Sequence, residues 1–555
     1  MIKNEASKVP ENWQECVLSD ILYFQNGHAF KSHDFIKNNA DEELIPLVKQ
    51  SQLKGSQVIL DDCVFLPSEY LDKYSDFIIR KGDILIGMSG SIGKMSFYNY
   101  DYPSLLNQRV GKLELYSKDI FNNNFFGYLL LNLEQNIQTI AKGMGVQNVS
   151  SKDIEKIIIN LPPINEQNRI VDKIETLFSE VDAGIENLTL AKRQLEQYRQ
   201  SLLKHAFEGK LTAKWREEYA KNHGKSLPSA DELLKQIQTA RQDYYDQQIA
   251  DWEQAIEAWE EQGKEGTKPR KPSKLSEIEV FESEGMPQNW IKICAESTCD
   301  FITKGTTPSK EKLYQSQGEI PFIKVYNLTK NGELDFSINP TFTDIETHKI
   351  FLSRSKVYPN DILMNIVGPP LGKVSVVPND YPEWNINQAI VIFRPLYTNV
   401  AYFKFFLLSD MTVKLMERQA KATAGQLNLT LEICRRLPIP VCSNEEQTLI
   451  VSILDNRLSV IEKNINEIIL QLEKANLLKA SILHKAFQGK LVPQDLNDPP
   501  ASELLVQIKA EREAKALAEK QAKQDKAASK SKAKAKSAKT PKKSKKDEQI
   551  TLPLQ

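Results

Sequence analysis

Cysteine is scarce. The six thiols, Cys16, Cys63, Cys294, Cys299, Cys434 and Cys442, are scattered over 555 residues and form neither a disulfide framework nor the paired spacing of a zinc site. Histidine is equally rare, with six copies, and none has a second metal-ligating residue at suitable spacing; His205 and His484 read as helix-end residues or partner contacts. Long apolar runs are missing as well: even the stretch from Phe125 to Leu133 falls well short of a membrane span, and residues 1–13 are polar. No metal, no disulfide and no membrane helix is expected, and a reducing cytoplasm fits.

Catalytic signatures are also lacking. Asn497-Asp-Pro-Pro500 resembles a methyltransferase motif, but Ala501 follows where an aromatic residue is needed. Gly87-Met-Ser-Gly-Ser-Ile-Gly-Lys94 and Gly368-Pro-Pro-Leu-Gly-Lys373 resemble glycine-rich phosphate loops. The first lacks Ser or Thr after the lysine and the second has the wrong spacing. A binding protein is expected rather than an enzyme.

What is present is a repeat. Val9-Pro-Glu-Asn-Trp13 matches Met286-Pro-Gln-Asn-Trp290, a separation of 277 positions, and Gly82-Asp-Ile-Leu85 meets Asn360-Asp-Ile-Leu363. Gly27 aligns with Gly305, Tyr102-Pro103 with Tyr381-Pro382, Asn107-Gln108 with Asn387-Gln388, and Gln147-Asn148 resembles Leu427-Asn428. Leu161-Pro-Pro163 with Glu166-Gln167 returns as Leu437-Pro-Ile-Pro440 with Glu446-Gln447, and Ala206-Phe-Glu-Gly-Lys-Leu211 as Ala486-Phe-Gln-Gly-Lys-Leu491. The order never scrambles, so two copies of one module lie end to end, and the length suits three or four folding units.

Each copy opens with short β-rich runs punctuated by Gly, Pro and Asn, which predicts a mixed α/β globule over residues 1–160 and 286–436. A helix follows each, over 161–211 and within 437–515. Apolar or small residues recur at steps of four and three: Ile170, Ile174, Leu177, Val181, Gly184, Leu188, Ala191, Leu195, Tyr198 and Leu202, then Leu454, Leu458, Ile461, Ile465, Ile468, Leu472 and Ala475, with a shorter step before Leu478 and Ile482. Two such seams are natural partners. The simplest arrangement is an antiparallel coiled coil joining the two globules, an α+β architecture with a pseudo-two-fold repeat. Residues 212–285 read as a charged helical arm and linker, and 516–555 as a basic, disordered tail. Formal net charge is −1, yet ten lysines and no acid lie in 526–546, leaving about −11 on the rest. Any attraction to a polyanion must then come from local patches.

This order of globule, Leu-Pro-Pro plus Glu-Gln helix ending in Ala-Phe-Glu-Gly-Lys-Leu, second globule and second helix resembles the specificity subunits of type I restriction-modification enzymes over almost the whole chain. The resemblance implies that the globules are target-recognition domains reading an asymmetric, bipartite site on double-stranded DNA, with the helices as spacers. It also implies two methyltransferase subunits and two restriction-motor subunits as partners. S-adenosylmethionine, ATP and Mg²⁺ then belong to those partners, and no cofactor to this chain. In that arrangement helix length is expected to set the gap between half-sites. The long arm and the lysine tail depart from the pattern. The competing expectation is a coiled-coil assembly scaffold whose globules bind protein.

Candidate DNA contacts follow from residue chemistry. Thr303-Lys-Gly-Thr-Thr-Pro-Ser-Lys310 offers Lys304, Thr306, Thr307, Ser309 and Lys310, and its counterpart Asn26-Gly-His-Ala-Phe-Lys31 offers Lys31. The same composition also makes an ordinary surface turn. Lys94 and Lys373 end glycine turns and suit phosphate contacts. Asn107, Gln108, Arg109, Asn387 and Gln388 carry groups that pair with adenine or guanine edges, as do Gln147, Asn148, Gln426 and Asn428; amides equally cap strands and turns.

Overall fold

Two 44-residue helices, Ile164–Phe207 and Asn444–Phe487, run through a computed structural model that describes residues 9–37, 44–55, 57–88, 93–117, 120–143, 150–368, 370–423 and 426–537. The chain divides into two units, Met1–Asn187 with Gln471–Gln555, and Leu188–Leu470. Each long helix therefore contributes one half to each unit.

In the first unit the strand Gln14–Val17 pairs antiparallel with Ile158–Leu161, closing the module just before the proline break that starts the helix. A six-stranded sheet follows the order Leu22–Asn26, Val110–Leu115, Ile84–Gly87, Met95–Phe97, Gln57–Val58, Leu53–Lys54. A four-stranded sheet runs Val64–Pro67, Leu44–Val48, Ser104–Leu106, Ile78–Ile79. In Val110–Leu115 the period-two pattern of a half-buried strand is plain: Leu113 and Leu115 are buried while Lys112 and Glu114 lie half out. Leu18, Phe125, Ile170 and Ile174 share a core with Ile482, Phe487 and Leu504 from the end of the chain.

The second unit repeats this topology. Ile291–Cys294 pairs with Pro438–Val441 and gains Val280–Phe281 on its other side. A five-stranded sheet runs Cys299–Lys304, Ile390–Pro395, Ile362–Asn365, Val374–Val376, Gly332–Glu333, and another runs Tyr314–Gln315, Thr341–Thr343, Ile320–Ile323, Trp384–Ile386, Lys356–Val357. Apart from the extra edge strands Leu53–Lys54 in the first unit and Tyr314–Gln315 in the second, the strand order is the same in both, as the collinear motifs require. The mixed α/β modules and the two long helices are as the sequence implies.

Antiparallel helix contact is visible within each unit. In the first, Lys479, toward the end of the second helix, meets Asp182 in the middle of the first, while Asp498, beyond the end of the second, reaches Arg169 near the start of the first at 2.7 Å. In the second, Arg216 meets Glu446 at 2.5 Å, and Ile461 and Ile465 share a core with Leu202 and Leu203. The seam differs from its expected register at three positions. Gly184, Tyr198 and Leu478 face outward, and Ile185, Arg199 and Lys479 take their places. At each of these places the four-residue step comes before the three-residue one: Val181 to Ile185 to Leu188, Leu195 to Arg199 to Leu202, and Ala475 to Lys479 to Ile482. Arg199 and Lys479 lie at equivalent positions. Each lays its stem along apolar surface and sends its charge to the rim: Arg199 donates to the Lys330 carbonyl at 2.9 Å, and the Lys479 ammonium sits 4.8 Å from the Phe178 ring.

The repeated short motifs meet at the helix ends. Trp13 Nε1 donates to Glu166 Oε2 at 2.9 Å, and Trp290 Nε1 to Glu446 Oε2 at 3.0 Å. Gln167 accepts from the Asn122 amide and donates to the Pro162 carbonyl; Gln447 does the same with Asn399 and Cys442. Gly209 and Gly489, both left-handed at the helix stops, bring the backbone against Pro287 and Pro10 respectively.

Within 212–285 the helix Ala213–His223 precedes Ala230–Glu261, which is capped by Ser229 and Glu232. Leu233 and Ile237 pack into the core of the second unit, so the arm is rooted there. Its linker folds back on it, with Trp252 Nε1 donating to the Pro269 carbonyl at 3.1 Å and Lys271 over the Trp252 ring. The equivalent helix after the second copy, Ala501–Ser537, roots through Ala501, Leu504 and Ile508 in the first unit. It continues through the first part of the span read as a disordered tail, because Ala and Lys are strong helix formers even without a partner face; residues 538–555 lie outside the described residues.

Candidate nucleic-acid interface

In an antiparallel sheet, alternate connections emerge at the same edge, and this gathers the candidate loops of each unit. In the first unit, Leu22–Asn26 ends, Val110–Leu115 begins, Ile84–Gly87 ends and Met95–Phe97 begins at one edge of the six-stranded sheet. The loops are laced together by backbone bonds. His28 N donates to the Leu106 carbonyl at 2.9 Å, Gly27 N to Val110 at 3.1 Å, and Met88 N to Arg109 at 3.1 Å. Lys31, Gln108 and Arg109 are exposed there, with Asn107 and Lys94 half-buried.

The second unit builds the same edge. Gly305 N donates to the Ile390 carbonyl at 3.0 Å, Asn387 N to Ile323 at 3.1 Å, and Ile366 N to Ala389 at 2.9 Å. Lys304, Thr307, Ser309, Lys310 and Gln388 are exposed; Thr306, Lys373, Asn387 and Asn428 are half-buried. Some of these groups have structural work. Thr307 Oγ1 accepts from Gln388 N at 3.2 Å and so ties the two loops, while Asn387 Oδ1 accepts from Ala389 N at 3.3 Å within its own turn. Lys373 N donates to Asn365 Oδ1 at 2.8 Å, which closes the second glycine turn. Two others are buried without a hydrogen-bond partner, Thr306 Oγ1 and Asn428 Oδ1; a desolvated acceptor left open beside an exposed face is costly unless a ligand supplies the donor. Gln147 and Asn148 lie outside the described residues. For Gln426 only the backbone is described, in the hairpin strand Gln426–Asn428.

Linear reading missed an aromatic group beside the first edge. The His28 ring lies 4.9 Å from Phe30, 4.7 Å from Tyr74 and 5.1 Å from Phe77, and the Tyr70 ring lies tilted 5.2 Å from Tyr74. The Lys73 ammonium sits over both tyrosines at 5.5 and 5.3 Å. Residues 28–30 and 70–77 come from separate segments, so no spacing rule joins them. Among the described residues no group of three His, Cys, Asp or Glu side chains could hold a metal ion, and no helix is long and apolar enough to cross a membrane.

Each edge offers cations and amides, and the second hydroxyls as well, groups that contact phosphates and base edges. Residues 10–190 and 287–474 match the model of the type I restriction modification DNA specificity domain. The chain is 26% identical over 529 residues to the EcoBI specificity subunit of Escherichia coli, covering 92% of this chain and 94% of that protein. It is 23% identical over 530 residues to the EcoKI specificity subunit of Escherichia coli strain K12, covering 92% and 97%. Among solved structures, one described as the structural basis underlying complex assembly and conformational transition of the type I R-M system superposes with a TM-score of 0.54 at 15% identity. It covers 87% of this chain and 99% of that one.

Proposed function

The chain belongs to the type I restriction-modification DNA specificity family, and from that premise we propose that the two loop-bearing sheet edges are its two readers, each responsible for one half of an asymmetric target. The protein is the non-catalytic, sequence-specific DNA-binding subunit of a type I complex, with two recognition domains. It assembles with DNA, methyltransferase subunits and restriction subunits; the stoichiometry we propose is two of each. S-adenosylmethionine, ATP and Mg²⁺ act on those partners in the cytoplasm.

The observation that carries the two-reader proposal is the convergence of Lys31, Lys94, Asn107, Gln108 and Arg109 at one edge and of Lys304, Thr306, Thr307, Ser309, Lys310, Lys373, Asn387, Gln388 and Asn428 at the equivalent edge. In this reading the exposed cations meet phosphates, and Gln108, Arg109 and Gln388 reach base edges. Thr306 and Asn428 find in DNA or bridging water the partners they lack. Gln147, Asn148 and Gln426 remain in the proposal on their chemistry alone.

The side chains on the two edges differ, so the half-sites should differ. Exchanging residues 9–160 for those of a relative, in cells carrying the methyltransferase partner, is expected to change one half-site in the methylated motif and leave the other intact. A change in both would sink modular readout, and no DNA binding in a gel shift with random duplex would favour the protein-scaffold reading. Deleting 526–555, with its ten lysines in 526–546, should weaken binding to any duplex and flatten its salt dependence, by about 0.9 in slope for each phosphate that the tail neutralises. The methylated motif should not change.

A further inference from the structure

The second recognition domain contains a buried histidine whose surroundings demand two protons. His348, on the short helix Ile345–Lys349, and Asn385, in the strand Trp384–Ile386, are both 0% exposed. His348 Nδ1 lies 2.5 Å from Asn385 Oδ1, and Nε2 lies 2.7 Å from Glu383 Oε2. The amide of Asn385 cannot be turned round. Its Nδ2 donates to two backbone carbonyls, Leu352 at 3.4 Å and Ser355 at 3.1 Å, and the reversed orientation would set its oxygen against both. The imidazole therefore faces an acceptor at each nitrogen, and only the imidazolium donates from both.

We infer that His348 is a positioning residue for DNA recognition: as an imidazolium it clamps the strand Trp384–Ile386, from which the Asn387–Gln388 turn leads directly to the readout edge. The clamp grips the strand through Asn385 and the turn before it through Glu383. That strand lies between Ile320–Ile323 and Lys356–Val357, with Asn385 opposite Phe322 and Lys356. Asn387 N then bonds the Ile323 carbonyl at 3.1 Å.

The other charged groups around the ring are accounted for. Glu383 is shared with Lys356 Nζ at 3.3 Å, and the His348 hydrogen bond, then Lys356, hold its carboxyl below the usual range. Asp344, which caps the histidine's own helix through Thr347, pairs with Lys312 at 3.5 Å; Glu346 and Lys349 are exposed on that helix, and Arg354 is exposed on the turn that supplies Leu352 and Ser355. Loss of one proton would leave a ring nitrogen lone pair facing either the amide oxygen or the carboxylate.

This inference rests on the reading that the second domain recognises its own half-site, and the test separates the two. Affinity of the full chain, assembled with its methyltransferase partner, is measured for the intact target and for duplexes with either half-site scrambled, at about pH 6 and about pH 9. The duplex retaining only the second domain's half-site should bind about tenfold more weakly at the higher pH, the loss expected from one charge-assisted hydrogen bond. The duplex retaining only the other half-site should not share that loss, and H348Q should bind with no such difference. Equal pH dependence for the two half-sites, or the same profile in H348Q, overturns the clamp. The imidazole ¹⁵N spectrum, with the His348 signals assigned by their absence in H348Q, decides the protonation without DNA: a doubly protonated ring at about pH 6 supports the clamp and a single neutral tautomer overturns it. If scrambling either half-site changes nothing, the domain-by-domain reading fails instead, and the ring spectrum still decides the clamp.

Discussion

Glu446→Ala should cost the second unit about 3–5 kcal/mol, the penalty for stranding one partner of a buried ion pair. Glu446 is 0% exposed and accepts from three side chains: Trp290 Nε1 at 3.0 Å, Thr212 Oγ1 at 2.7 Å and Arg216 Nη1 at 2.5 Å. Removing the carboxylate leaves a largely buried guanidinium without its counter-charge and an indole N–H without an acceptor. Urea unfolding followed by tryptophan fluorescence should show the transition of the second unit moving to lower denaturant. The equivalent Glu166 provides the control. Its donors are neutral, Trp13 Nε1 at 2.9 Å and Gln494 Nε2 at 2.6 Å, and burial pushes its carboxyl up against their opposing pull. Glu166→Ala should therefore cost only about 1–3 kcal/mol, in the first unit. Replacing Arg216 and Glu446 together by methionine should recover much of the loss, since a well-packed apolar pair is often no worse than a buried salt bridge. Equal costs for the two alanine variants would refute the charge argument.

Gly305→Ala should weaken recognition of one half-site, and Gly27→Ala that of the other. A methyl group on Gly305 would lie 2.2 Å from the Asn387 carbonyl oxygen and 2.4 Å from that of Ile386; one on Gly27 would lie 2.1 Å from the Asn107 carbonyl oxygen. These neighbours are backbone, so relief requires moving the turn that carries Asn387–Gln388 or Asn107–Gln108 away from the first loop. Overpacking of this kind costs about 1–3 kcal/mol, or roughly five- to 150-fold in affinity where the displaced turn is the reader. Measured on duplexes with one half-site scrambled, each variant should lose only the half-site of its own domain. Gly184→Ala, with nothing within 4 Å of the added carbon, should bind normally and gain up to about 1 kcal/mol of helix stability. Loss of both half-sites in a single loop variant would contradict independent readers.

Much was legible in the linear sequence because it was local or periodic. The repeat, the proline break before each helix, the glycine stop after it and the apolar steps along it depend on neighbours a few residues away. Backbone geometry turns such patterns into elements wherever they occur. The candidate residues came from the same kind of evidence, and most lie on loops at one sheet edge in each unit because the topology sends alternate connections there.

Tertiary structure decided what local pattern leaves open. Gly184 and Tyr198 fell out of the seam and Ile185 and Arg199 took their places, since a seam is defined by what the facing helix buries. Spacing alone could not reveal that Glu166 and Glu446 serve the tryptophans that open the modules, or that Thr307 spends its oxygen tying its loop to the Asn387–Gln388 turn. The aromatic group around His28 and the clamp on His348 join segments about 40 residues apart in each case. Their chemistry depends on which partners are close and how far water is excluded. Charge, hydrogen-bond demand and protonation are then set by the packed surroundings, whereas periodicity records only which face of each element is apolar.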